Sequence, residues 1–168
     1  LMIPVSEEYE AIFSHLNYAG NTSSAAISKT FFPSYQTLLV FNFGNSVTLT
    51  TENNTDITVN RCFVLGPVKK QFIYTLPPVS SILVANFKDD AFYRIFGHSS
   101  VAEKLPLHPD ELVNKNCFTY VWAELNKMPD IADRVDFILN FCKIHLRERN
   151  TIAEKLANHT DENQSPIK

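Results

Sequence analysis

Glycine is scarce in this sequence, with only 4 among 168 residues. That nearly excludes the glycine-rich loops that cradle phosphates, and neither a Walker A sequence nor a GxGxxG stretch occurs. Cysteine is equally sparse. Cys62, Cys117 and Cys142 are an odd number, sit among apolar neighbours and form no CxxC, so they read as reduced core thiols in a reducing compartment. Long basic runs are missing as well, with nothing beyond Lys69-Lys70 and Arg147-Glu148-Arg149. The 15 basic residues are outnumbered by 18 acidic ones, a net charge of −3. Nucleic-acid binding draws on Lys and Arg that displace counterions from phosphates, and this balance does not supply it. The apolar runs are too short to span a bilayer, and the first residues do not read as a secretory leader, so a cytoplasmic location is expected.

Residue types suited to a core are abundant. Hydrophobic residues make up 45% of the chain and charged residues 20%, the balance of a globular domain, and 13 phenylalanines supply bulk. The length fits one domain by the usual figure of about 100–200 residues per domain.

The opening residues predict a short helix. Ser6 would be its N-cap, Glu7 and Glu8 would suit the positive end, and Ile12, Phe13 and Leu16 would form an apolar face. A loop is expected over Gly20–Ser24. The pattern then turns to strands over Ala25–Phe32, Gln36–Phe43, Val47–Thr51, Asp56–Val59, Arg61–Leu65, Gln71–Leu76 and Ser81–Phe87. Turn residues separate them, as a barrel or sandwich requires. Thr37–Phe43 and Ile82–Phe87 are apolar on both faces, so each is expected to be covered on both sides.

After Lys88 the period becomes helical. Asp89 or Asp90 would cap a helix ending at Phe96, with Gly97 as its left-handed stop. A second helix would carry Cys117, Phe118, Val121, Trp122 and Leu125, and a third would run from Asp130 to about Arg147. The residues from Asn158 on form a polar tail. Strands first and helices last make the fold class α+β.

Metal and catalytic motifs are weak. The five histidines, His15, His98, His108, His145 and His159, lie outside the predicted strands and far apart, unlike a convergent imidazole site. Gly97-His98-Ser99-Ser100 resembles a nucleophile turn only superficially, because it follows a helix and not a strand. No catalytic residue, metal or cofactor is therefore assigned, and the chain is read as a non-enzyme.

Binding features are stronger. Asn42 ends the apolar face Leu38/Val40, and Asn86 ends the face Ile82/Val84. With Phe63 and Phe72 as walls, these two amides could be the placed polar groups of an otherwise apolar pocket. Each could equally bond its own backbone at a strand end. The third helix has two apolar stripes. One holds Ile131, Val135, Ile138, Leu139, Cys142 and Leu146; the other holds Phe137, Phe141 and Ile144. The first would pack on the domain. The second would meet either the preceding helix or a second copy of the chain.

The run Phe32-Pro33-Ser34-Tyr35-Gln36-Thr37-Leu38-Leu39-Val40-Phe41-Asn42-Phe43-Gly44, then Val64-Leu65-Gly66-Pro67, then Phe87-Lys88-Asp89-Asp90-Ala91-Phe92-Tyr93-Arg94-Ile95-Phe96-Gly97 resembles the N-terminal domain of AraC-family transcription regulators, over about Phe31 to Arg147. The resemblance implies a cupin-like β-barrel (about 25–88) that receives a small-molecule effector. It further implies helices (about 89–149) that form a homodimer, making 1–150 a sensor and dimerisation domain. Residues 151–168 would be a polar linker toward a DNA-binding domain that these residues do not include. The family fixes no catalytic residues and no single effector. Two rival readings are a domain that only dimerises and, against the dispersed histidines, a cupin-superfamily enzyme. The charge balance gives a direct expectation: the chain alone should not retard operator DNA in a mobility-shift assay at moderate salt, and a sequence-dependent shift would contradict it.

Overall fold

The computed structural model of the chain describes residues 1–88, 90–97, 108–110 and 117–146. Nine strands come first: β1 (Met2–Pro4), β2 (Phe13–Asn21), β3 (Ile27–Phe31), β4 (Leu38–Gly44), β5 (Val47–Thr50), β6 (Asp56–Val59), β7 (Cys62–Leu65), β8 (Phe72–Leu76) and β9 (Ser80–Phe87). Helices α1 (Ala91–Phe96), α2 (Cys117–Lys127) and α3 (Ile131–Ile144) follow. The α+β class is as the sequence predicts. The tail and the Gly97-His98-Ser99-Ser100 turn past Gly97 lie outside the described residues.

The strands make two antiparallel sheets, in the orders β1-β2-β9-β4-β7 and β3-β8-β5-β6. Leaving β1 aside, this is the alternation of a double-sheet jelly roll, the architecture of cupins. The described strands of one sheet form no ladder with those of the other, so of the two forms the strand pattern allows, barrel or sandwich, the cupin-like unit is the open sandwich.

Each sheet face has its own core. Leu39, Phe41 and Phe43 of β4 and Leu83, Ala85 and Phe87 of β9 point away from the second sheet and join the helices. The alternate residues Leu38 and Val40, with Ile82 and Val84, point between the sheets. The helix side is built on aromatic rings: Phe87 meets Phe92 and Phe96, Phe96 stacks on Phe118, and Phe118 meets Phe141 edge-on at 5.2 Å. Gly97 ends α1 at φ 77° and donates to Tyr93 O, the left-handed stop its sequence predicts. Asp90 holds the N-cap position of α1 without a side-chain capping bond.

The first residues depart from expectation. The predicted opening helix is only a 3-10 turn at Glu7–Tyr9, and Phe13 and Leu16 belong to β2. Gly20 and Asn21, expected in a loop, complete that strand. The cause is a register shift between Phe13 and His15, where Ser14 is the extra residue of a bulge. A bulge breaks the period of two, so Phe13 and Leu16 share the helix-facing side at a spacing of three, as they would on a helix.

Gly44 carries the β4–β5 turn at φ +76°, and a Cβ there would collide with the carbonyl oxygen of Val79. Gly44→Ala is expected to lower stability by about 1–3 kcal/mol, read as a reduced urea midpoint at unchanged slope. An unchanged midpoint would contradict this account of the turn.

Candidate functional site

The two sheets enclose a crevice that opens at the β2/β3 edge. Its outer part, a cleft of about 230 Å³, is lined by Asn17 and Ala19 of β2, Lys29 and Phe31 of β3, Tyr74 of β8, and Ile82 and Val84 of β9, with Leu1 and Tyr18 at the rim. A second space of about 20 Å³ shares Phe31, Tyr74, Ile82 and Val84 with it and runs inward past Leu38, Val40, Val47, Leu49, Phe63, Leu65 and Phe72. That inner space is about the size of one water but offers almost no polar partners, so it is a packed interior and not a second chamber.

Alternation along the strands produces this arrangement. In β3, Ile27, Lys29 and Phe31 fall on one face while Ser28 and Thr30 fall on the other, where Ser28 Oγ bonds Thr75 Oγ1 at 2.9 Å. Phe31 stacks on Phe72 at 5.1 Å and meets Tyr74 edge-on at 6.3 Å, walling one side of the crevice with rings. Lys29 stands exposed at the opening, opposite Tyr74 in the β3–β8 register. Burial raises the pKa of the Tyr74 phenol, which therefore stays a neutral donor. The outcome is an apolar inner slot behind a mixed mouth that carries Lys29 and the Asn17 amide.

The four residues proposed from sequence divide. Phe63 and Phe72 both line the small inner space. Asn42 and Asn86 are buried but line neither space. Asn42 is held by its surroundings: Nδ2 donates to Phe43 O at 3.2 Å, Asn45 O at 3.1 Å and Ser81 O at 3.2 Å, and Oδ1 accepts from Val47 N at 3.0 Å. Asn86 sits one side chain behind the cleft. It accepts from Asn17 Nδ2 at 3.5 Å and donates to Gln36 Oε1 at 3.4 Å, both long bonds. Sequence reasoning missed Asn17 and Ala19 because the bulge hid β2, and it missed Lys29, whose signal was a cation between Ile27 and Phe31 on one apolar face.

The helix residues also divide. Val135, Ile138, Leu139 and Cys142 of α3 are buried, and Ile131 and Leu146 pack beside them. Phe137 and Phe141 are half-buried against the same core, Phe141 between Phe118 and His145, whereas Ile144 is 69% exposed. Arg134 lies over the Phe43 ring at 3.9 Å and donates through Nε to Leu125 O and Met128 O, tying α3 to the end of α2.

Among the described residues, no three His, Cys, Asp or Glu side chains are placed to hold a metal ion, and no helix is long and apolar enough to cross a membrane. The thiols gather near one another between β7, α2 and α3. Burial pushes Cys62 well above the ordinary thiol range, with Asp110, Cys142 and Cys117 adding to it, and burial alone pushes Cys142 up to about 12. Asp110 accepts from Phe118 N, Thr119 N and Thr119 Oγ1 and so closes the first turn of α2.

No protein-family model matches this chain, and no curated protein matches it by sequence. Among solved structures, it is similar to an RmlC-like cupin protein from Desulfovibrio desulfuricans, at 13% identity and a TM-score of 0.40, over 52% of this chain and 80% of that one. It is also similar to ToxT from Vibrio cholerae, an AraC-family regulator, at 9% identity and a TM-score of 0.42, over 87% of this chain and 55% of that one. A ToxT structure with a bound unsaturated fatty acid matches at 13% identity and a TM-score of 0.42, over 75% of this chain and 50% of that one. This chain therefore spans about half of those two ToxT chains.

The thiol environments give a chemical expectation. Only thiolates react with Ellman's reagent, and buried thiols with raised pKa are inert. At about pH 8 Cys62 and Cys142 should not react in the native chain, whereas the denatured chain should titrate three thiols. Three rapidly reacting thiols in the native chain would contradict the burial of Cys62 and Cys142.

Proposed function

We propose that this chain is the effector-receiving and dimerising domain of a cytoplasmic AraC-type transcription regulator, with DNA contacted only through a further domain. The reading is of a receptor and not an enzyme. The observation that carries it is the crevice. Its inner end is apolar and walled by Phe31, Phe72 and Tyr74, and its open outer cleft mixes apolar side chains with Lys29 and the Asn17 amide. Pockets for small molecules combine such apolar walls with a few placed polar groups. The matching ligand is a small, mostly apolar molecule with one anionic group, its charge beside Lys29 and its apolar part against Val84, Ile82 and Phe31.

A second reading has its own observation. The inner space is almost filled by Phe31, Phe63 and Phe72, as it would be in a domain that only dimerises. Thermal shift separates the two, because a ligand that binds only the folded state raises the melting temperature, by about 2.7 kcal/mol of stabilisation at 100 times its Kd. With decanoate as the probe, the native chain is expected to melt higher, and Lys29→Gln to lose about 0.5–1 kcal/mol of that gain, the worth of an exposed charge contact. Decanol should act alike on both. An unchanged melting temperature with decanoate and decanol alike would favour the dimerisation-only reading.

The proposed self-contact uses α3 around Phe137, Phe141 and Ile144. The two rings are partly covered within the chain, so Ile144 is the side chain best placed to test it. Light scattering is expected to give a dimer mass for the native chain and a monomer mass for a folded Ile144→Asp. A native chain that stays monomeric at high concentration would end the dimer claim.

A further inference from the structure

The crevice and the helix layer lie on opposite faces of the five-stranded sheet; Asn42 of β4 bonds toward both, and its neighbour Phe43 packs against the helices. We propose that Asn42 and Phe43 form a relay that passes the state of the inter-sheet crevice to helices α2 and α3. The proposal rests on the reading above only for what fills the crevice.

On the crevice side, the Asn42 side chain sets the start of β5. Its Oδ1 holds Val47 N at 3.0 Å, and its Nδ2 holds Asn45 O at 3.1 Å and Ser81 O at 3.2 Å. Val47 lines the inner space, and Ile82, the register partner of Asn42, lines both spaces. On the helix side, the Asn42 carbonyl accepts Trp122 Nε1 at 2.8 Å, and the Phe43 ring lies under Arg134, which grips the carbonyls of Leu125 and Met128. Asn42 N in turn donates to Arg61 O at 2.6 Å, and the Arg61 guanidinium lies 5.4 Å from the Trp122 ring.

Asn42 is 1% exposed, so no solvent stands ready to replace a bond it loses. A buried polar network of this kind shifts as a unit, since each broken bond leaves an uncompensated group. Displacing the walls at Val47 or Ile82 must therefore either strain the Asn42 bonds or turn its peptide. A turned peptide lengthens the bond to Trp122 and changes the support under Arg134. The test reads the far end of the relay directly.

Trp122 is the only tryptophan, and its emission and its quenching by acrylamide report the helix end of the relay. The crevice end is perturbed in two ways: by decanoate, with binding followed separately by calorimetry, and by Val84→Ile, which adds one methylene to a residue lining both spaces. Should Val84→Ile unfold by circular dichroism, Ala19→Val at the half-buried mouth replaces it. The expected result is about a twofold change in the quenching constant of Trp122 for the crevice variant, matching a bond worth that much in population. The change should vanish in an Asn42→Ser background and, should that chain fail to fold, in Phe43→Leu. No change in Trp122 with the crevice variant overturns the relay, whatever decanoate does. A change that survives in both backgrounds also overturns it, because the signal then travels elsewhere. Heat of binding with a silent Trp122 leaves the receptor reading standing without the relay. A crevice variant that moves Trp122 while decanoate gives no heat upholds the relay and removes the amphipathic-anion reading.

Discussion

Strands β4 and β9 are buried on both faces, and most of the structure follows from that. Every residue from Leu38 to Phe43 is buried, as is every residue from Ile82 to Phe87. Apolar side chains on both faces of a sheet demand two covering layers. The second sheet supplies one through Val47, Leu49 and Leu76. The helices supply the other through Phe92, Phe96, Phe118, Val121, Ile138 and Leu139. The helix layer is thus part of the same folding unit, and its aromatic chain from Phe87 through Phe96 and Phe118 to Phe141 extends that core outward. The N-terminal turn closes the arrangement at the surface, where Glu8 pairs with Lys143 of α3 at 2.8 Å; each group favours the charged form of the other.

What the sequence reveals and what it conceals follow the same physics. Strand positions from β4 onward are legible because turn residues punctuate them and because alternation holds within each. The two-faced burial of β4 and β9 is legible from their unbroken apolar runs. β2 is not, because one extra residue at Ser14 turns a spacing of two into three and imitates a helix. That single bulge also hides Asn17 and Ala19 and, with them, the open edge of the crevice. The strand pattern leaves barrel and sandwich equally open, since closure depends on hydrogen bonds between sheets and not on the pattern within any strand.

The crevice residues show why residue type and strand position are not enough. Asn42 and Asn86 present one pattern, an amide ending an apolar face, yet they have different surroundings. Asn42 adjoins a tight turn whose carbonyls and amides are within reach, so its four side-chain bonds run at 3.0–3.2 Å to backbone. Asn86 lies mid-sheet opposite Leu38, with only the side chains of Asn17 and Gln36 to meet it, at 3.4–3.5 Å. An amide satisfied by backbone moves only with that backbone. An amide satisfied by other side chains can exchange partners at lower cost. Asn86 can therefore exchange partners by itself, through Asn17 at the cleft wall, whereas Asn42 responds only together with the β4 and β5 backbone that holds it.

Lys29 stands where a guest would enter. An exposed lysine on an edge strand has an ordinary role, since charge on an edge discourages pairing with another chain. β3 is such an edge, and Lys29 serves that end. Its side chain, however, lies on the inward face with Ile27 and Phe31 rather than with the hydroxyls of Ser28 and Thr30 on the outer one. An inward charge at an edge must either leave the sandwich through solvent or meet an opposite charge there. The cleft between Lys29 and Asn17 is the space in which it can do the second without desolvating anything else, and the rings of Phe31 and Tyr74 begin immediately behind it.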